Sequence, residues 1–199
     1  LLAALAVAAP ANAGPPYTGD TSIPGSQPAG ATLLVDVVVF ATGFHVTDSY
    51  KYVDIKGPGG EDLVDRWNSE GISALRGITV ADMPNLFFLL GPNTALGHNS
   101  VVFMIESQIN YVLDALRTMD EWGVTSIDVH PEAQRSYNEQ IHRELDGTVW
   151  NSGCASWYLD ERGRNTTLWP TFTWRFRRET RRFDPAAYHL YAHHPVPAA

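Results

Sequence analysis

Two segments of this 199-residue chain combine residue types and spacing that suit a ligand site. In the first, the apolar run 33–40 ends in Ala41, Thr42, Gly43 and Phe44. In the second, the apolar run 86–90 ends in Gly91, Pro92, Asn93 and Thr94. It continues through Leu96, Gly97, His98, Asn99 and Ser100 into a run with helical periodicity. Each reads as a buried strand closing in a turn of small and polar residues. In an open α/β sheet, ligands bind at the carboxyl ends of such strands. Gly43 has no Cβ, so backbone can approach a ligand closely there. The helix after residue 100 aims its N-terminus at the second loop. Such a terminus carries about half a positive charge and several N–H groups without helical partners. It suits a ligand that gathers negative charge. His98 taken alone is more often a structural histidine. A third cluster holds Trp150, Asn151, Ser152, Gly153, Cys154, Ala155, Ser156, Trp157 and Tyr158. Its aromatics offer an apolar body with one polar tip, fit for a core or a pocket wall.

These residues need elements to position them. Residues 10–30 hold five prolines and four glycines and read as a linker without a packed core. The near-continuous apolar character of 33–40 is that of a strand buried on both faces of a parallel sheet. A short strand is expected at 52–55, closing in the turn Gly57, Pro58, Gly59 and Gly60. Residues 61–84 read as irregular with one short helix, and 86–90 as a second buried strand. Asn99 or Ser100 can cap the following helix. Val101, Val102, Ile105, Ile109, Val112, Leu113 and Leu116 give that helix one apolar stripe, and Gly123 ends it. A strand follows at 125–129. Pro131 then opens a helix in which Ala133, Tyr137, Ile141 and Leu145 recur every four residues. From 148 the texture is β-like and aromatic. The chain divides into a leader or linker at 1–32, a main α/β region at 33–123 and an extension at 124–199.

Composition narrows the function. A net charge of -8 argues against nucleic-acid binding, which needs clustered cations. The one basic cluster is Arg175, Arg177, Arg178, Arg181 and Arg182, read by default as a solvated, partly paired face. A docking patch for a cofactor phosphate is its sharper reading. The single Cys154 cannot form an internal disulfide. No apolar run approaches the roughly 20 residues of a membrane-spanning helix. The apolar start followed by Ala11, Asn12 and Ala13 resembles the end of a secretory signal, though no basic stretch precedes it. The other reading is an Ala-rich segment at a truncation. His189, His193 and His194 lack a carboxylate or Cys at supporting spacing, so no metal site is expected there. Asn165, Thr166 and Thr167 form a glycosylation sequon, meaningful only on export.

The strand-turn at 35–44, the loop and helix at 85–108 and the aromatic block at 150–185 together resemble the flavin-containing monooxygenases, most closely the Baeyer–Villiger type. The resemblance spans roughly residues 35–188. It implies an α/β fold, part of a doubly wound, Rossmann-like FAD/NAD(P)-binding sheet with an aromatic-rich C-terminal extension. It implies FAD and NADPH as cofactors and a ketone or a soft heteroatom as the site of oxygen transfer. Ala41, Thr42, Gly43, Phe44, Gly91, Asn93, His98, Asn99 and Ser100 would lie on the cofactor side, and Trp157 and Tyr158 on the substrate side. No residue receives a catalytic role. The family's nucleotide-binding fingerprint G-x-G-x-x-G occurs nowhere in the sequence. The chain is therefore expected to be a C-terminal portion, inactive alone, cytoplasmic, and partnered by the missing N-terminal half. The competing expectation is a non-enzymatic interaction module, exported through its leader-like start.

Overall fold

The computed structural model describes residues 3–7, 37–41, 50, 53–95, 100–151, 158–160 and 162–192. The chain separates into two compact units, residues 1–44 and 45–199. In the first, β1 (Ala3–Val7) and β2 (Val37–Ala41) form a two-stranded antiparallel sheet, with Ala3 opposite Ala41 and Val7 opposite Val37. The strand expected at 33–40 is thus present from Val37, but its neighbour is antiparallel. A lone strand leaves its backbone donors and acceptors unpaired, and the apolar N-terminal run satisfies them.

The second unit is mixed helix and strand. Asp62 opens α1 (Leu63–Glu70), its carboxylate accepting from the N–H of Val64 at 2.8 Å and of Asp65 at 3.2 Å. Ser100 caps α2 (Val101–Trp122), accepting from the N–H of Phe103 at 3.4 Å, and Gly123 closes it in the left-handed region at φ 64°. Next come β3 (Val124–Val129) and α3 (Pro131–Asp146), with Pro131 at the first helical position, where a missing N–H costs nothing. α4 (Thr173–Glu179) leads to β4 (Tyr188–Ala192), which pairs antiparallel with β3. Ile127 and Val129 of this ribbon face a core completed by Tyr111 and Ala115 of α2, Phe183 and Tyr188. A second cluster joins Met104 of α2 and Ile141 and Leu145 of α3 to Leu168, Trp169 and Phe176. A third packs Leu63 and Trp67 of α1 on Ala74, Val80 and Met83.

Several expectations are corrected. Among the described residues both sheets are two-stranded and antiparallel, and no parallel doubly wound sheet is present. Residues 86–90 are not a strand. Asn85 at φ 58° and Leu90 at φ 58° turn the chain at both ends of that run, and Phe88 N–H donates to Ile78 O at 2.7 Å instead of to a ladder. Residues 53–55 form no strand, although the glycine-rich turn after them is closed by a bridge between Lys56 and Asp62. The β-like texture after 148 resolves into a 3-10 turn (Val149–Asn151), then α4 and one strand.

The apolar stripe of α2 also faces elsewhere than expected. The buried positions are Met104, Ser107, Gln108, Tyr111 and Ala115. Val102, Ile109, Leu113 and Leu116 stand 63%, 40%, 44% and 46% exposed. Hydrogen bonds choose the face: Gln108 and Tyr111 both find partners in the irregular segment beneath them.

One ion pair holds α3 to α4. Arg175 donates to Glu144 through Nη1 at 2.9 Å and Nη2 at 2.8 Å, and through Nε to Glu179 at 2.8 Å. Burial pushes the Glu144 carboxyl up, but the hydrogen bonds from Arg175 outweigh it and hold the group below its ordinary value. A depressed carboxylate stabilises the fold above its unfolded pKa and loses that effect as pH falls through its folded one. Glu144→Gln should therefore cost about 1–2 kcal/mol at pH 7. Urea unfolding of variant and parent should converge as pH drops below about 4.

Candidate functional site

The segment 71–95 contains little regular structure, yet Gly71, Ala74, Leu75, Gly77 to Ala81, Met83 and Gly91 to Thr94 are buried. Its backbone polar groups find partners in side-chain amides from the elements around it. Gln108 of α2, fully buried, accepts from Leu90 N–H at 2.7 Å and donates to Gly77 O at 3.1 Å. Gln134 of α3 accepts from Ala81 N–H at 2.7 Å, and Asn138 donates to Ala74 O at 3.1 Å. Asn85 docks on β3, its side chain accepting from Ile127 N–H and donating to Thr125 O, both at 3.0 Å.

The loop after Leu90 is fixed from both sides. Gly77, at φ 61°, and Gly91 lie backbone against backbone: a Cβ on Gly91 would strike Gly77 O, and one on Gly77 would sit 2.6 Å from Pro92 O. Asn93, at φ 56° and 1% exposed, donates through Nδ2 to Asn165 O at 2.7 Å and Leu168 O at 3.1 Å. Its own N–H donates to Thr166 O at 2.9 Å, and Ala95 exchanges backbone bonds with Thr167 and Trp169. Asn93 Oδ1 is buried without a hydrogen-bond partner, and so is Asn165 Nδ2.

Beneath the loop runs a buried polar chain. Arg76 donates to Tyr111 Oη at 2.8 Å, Tyr111 to Tyr188 Oη at 3.2 Å, and Tyr188 lies 2.9 Å from Thr79 Oγ1. Burial raises both phenols above their ordinary pKa, so they stay neutral and hydrogen-bonded.

The structure thus brings Gly91 and Asn93 together with 76–77 and 165–168, and sets Ser100 at the head of α2. Ala41 ends β2 in the other unit. Thr42, Gly43, Phe44, His98, Asn99 and Trp157 lie outside the described residues. Tyr158 is half-buried, its ring set edge-on to Trp150 at 5.6 Å. Gln108, at the end of the 85–108 segment, and Asn165, in the sequon, were seen in the sequence but not given this pinning role; a glutamine beside a serine in an apolar helix was the available signal. The sequon is spent structurally: Asn165 is 0% exposed and its Oδ1 accepts from Thr167 and Leu168 N–H. The arginine cluster is partly paired, Arg177 contacting Glu106 at 3.2 Å and lying 3.6 Å over the Phe103 ring.

No protein-family model matches the chain. A Baeyer–Villiger monooxygenase of Pseudomonas aeruginosa is 54% identical over 158 residues, 78% of this chain and 30% of the relative. One of Streptomyces coelicolor is 45% identical over 183 residues, 87% of this chain and 35% of the relative. Among solved structures, the OTEMO complex with FAD and NADP superposes with a TM-score of 0.64 at 26% identity, covering 81% of this chain and 32% of the other. These matches place the chain among the flavin-containing monooxygenases. Within them it belongs to the Baeyer–Villiger type, and it spans about a third of the length of the curated relatives it matches.

The glycine contact gives a sharp test. Gly91→Ala should lower stability by about 2–3 kcal/mol, because backbone must move to admit the methyl group. Gly59→Ala, where a Cβ meets nothing within 4 Å, should leave the urea midpoint nearly unchanged.

Proposed function

We propose that this chain is the flavin-side, C-terminal portion of an FAD- and NADPH-dependent monooxygenase that inserts oxygen into a ketone or oxidises a soft heteroatom, and that alone it turns over negligibly. The observation that carries the reading is the loop from Gly91, pinned by Gln108 and Asn93, standing ahead of the Ser100 cap of a 22-residue helix.

The residues fit one end of FAD. Asn93 Oδ1, buried and unpartnered, is an acceptor that an imide N–H of the flavin would satisfy. The first turn of α2 offers N–H groups and a positive dipole end where negative charge grows on a reduced ring. The diphosphate finds no comparable cradle in the sequence, which lacks G-x-G-x-x-G. FAD, once reduced by NADPH, supplies the activated oxygen. The work of this chain is to orient and to enclose. Gln108 fixes the loop; Gly91, Asn93, His98, Asn99 and Ser100 are the residues that would hold the flavin, and Ala41, Thr42, Gly43 and Phe44 are assigned to cofactor binding by the sequence resemblance alone. Trp157 and Tyr158 form the aromatic substrate wall. Need for NADPH points to the cytoplasm.

The exposed face of α2 supports a missing portion as partner. Val102, Ile109, Leu113 and Leu116 form one stripe, and each such side chain, once covered, contributes about 1–2 kcal/mol. Flavin fluorescence quenching tests both ideas. The chain alone should leave FAD fluorescence unchanged. Co-expression with the remaining portion of the Pseudomonas aeruginosa relative should restore quenching, and Ile109→Asp with Leu113→Asp should abolish that rescue without unfolding the chain. Tight binding by the chain alone would refute its dependence on a partner. No binding in either case would favour the interaction-module reading.

A further inference from the structure

The β3–β4 ribbon presents two faces. Ile127, Val129, Tyr188 and Leu190 turn to the core. Alternation along a strand therefore sends Ser126, Asp128 and His130 to the other side, with Tyr191 opposite Ser126 and His189 opposite Asp128. His130 is the residue before α3, and its N–H is held by Ala187 O at 2.9 Å. Across the ribbon, His130 Nδ1 lies 2.9 Å from His189 Nε2, with the rings edge to face at 3.9 Å between centroids. The pair joins residues 59 apart in sequence, which is why histidine spacing near the C-terminus concealed it.

We propose that His130 and His189 form a two-imidazole clip for a divalent transition-metal ion. Two metal–nitrogen bonds of about 2.0–2.1 Å at a right angle set their nitrogens about 2.9 Å apart. That is the spacing found here, and right-angle coordination by imidazole is the preference of Ni2+ and Cu2+. Two imidazoles this close cannot both carry a proton on the facing nitrogens; without an ion, one ring donates to the other across this contact. A tautomer shift that moves that proton to the ring's other nitrogen leaves both facing lone pairs for a metal ion. The charge around it is favourable. Asp128 stands directly opposite His189, one of its oxygens is buried without a hydrogen-bond partner, and it also lines a cleft of about 500 Å3 with Glu61 and Asp82. Among the described residues no three His, Cys, Asp or Glu side chains converge, so water completes the coordination. Such an ion would staple β4 to the start of α3.

The test is calorimetric titration of the full 199-residue chain with Ni2+. The parent should bind one ion with a micromolar Kd. His130→Gln and His189→Gln should each weaken it by about tenfold or more, while a double change of His193 and His194 to Ala leaves it intact. NMR provides a second reading that needs no variant: substoichiometric Ni2+ should broaden the His130 and His189 imidazole signals first. The proposal fails if binding is weaker than millimolar. It fails equally if binding survives both glutamine variants, disappears with the two tail histidines, or broadens other imidazoles first.

Discussion

A buried backbone without a sheet must still pair its N–H and C=O groups, and residues 71–95 are where this chain meets that demand. No regular helix or long ladder supplies the bonds. Local backbone turns and single bridges meet part of the demand, and amide side chains meet the rest: Gln108, Gln134 and Asn138 from two helices, Asn85 and Asn93 from the segment itself. An amide carries a donor and an acceptor at fixed separation, so it substitutes for a peptide group. Each bond left unmade would cost about 1–3 kcal/mol. The segment therefore keeps its path only while α2 and α3 present these side chains at the correct height and rotation.

That requirement explains the orientation of α2. Apolar periodicity alone would turn Val102, Ile109, Leu113 and Leu116 inward. The helix instead turns Ser107, Gln108 and Tyr111 inward, and Tyr111 carries the polar chain from Arg76 to Tyr188. Turning the stripe inward would take Gln108 away from Leu90 N–H and Gly77 O and would expose Met104, Tyr111 and Ala115 in its place. The stripe then becomes an apolar surface of the helix.

The ends of α2 and α3 were legible in the sequence because their signals are local, whereas α4 lay in a stretch that read as β-like. Ser100, Gly123 and Pro131 act within one turn of themselves. The strand at 125–129 was legible for the same reason, alternating core and surface. The run 86–90 was not, since five apolar residues look alike in a strand and in a coil folded under a helix. What distinguishes them is the left-handed backbone at Asn85 and Leu90, and no apolar pattern encodes it. The antiparallel partner of β2 and the neighbourhood of His130 and His189 depend on distant pairing, which periodicity does not carry. Of the residues expected at a cofactor, Gly91 and Asn93 emerged with a structural task that their types alone did not disclose.

That task bears on ligand binding. Arg76, Asp82, Asn85, Leu90 and Asn93 all sit at positive φ within 18 residues, a costly set for side chains with a Cβ. Strain of this sort persists only where the surroundings over-determine the backbone, and here the glycine contact and the amide bonds do so. A loop already held in one conformation loses little entropy when a ligand arrives. Asn93 shows the consequence most directly: both its amide hydrogens are committed to carbonyls, which fixes the side chain and leaves Oδ1 as a rigid acceptor. The same bonds that stabilise the coil thus fix the position of a buried side-chain oxygen that has no hydrogen-bond partner.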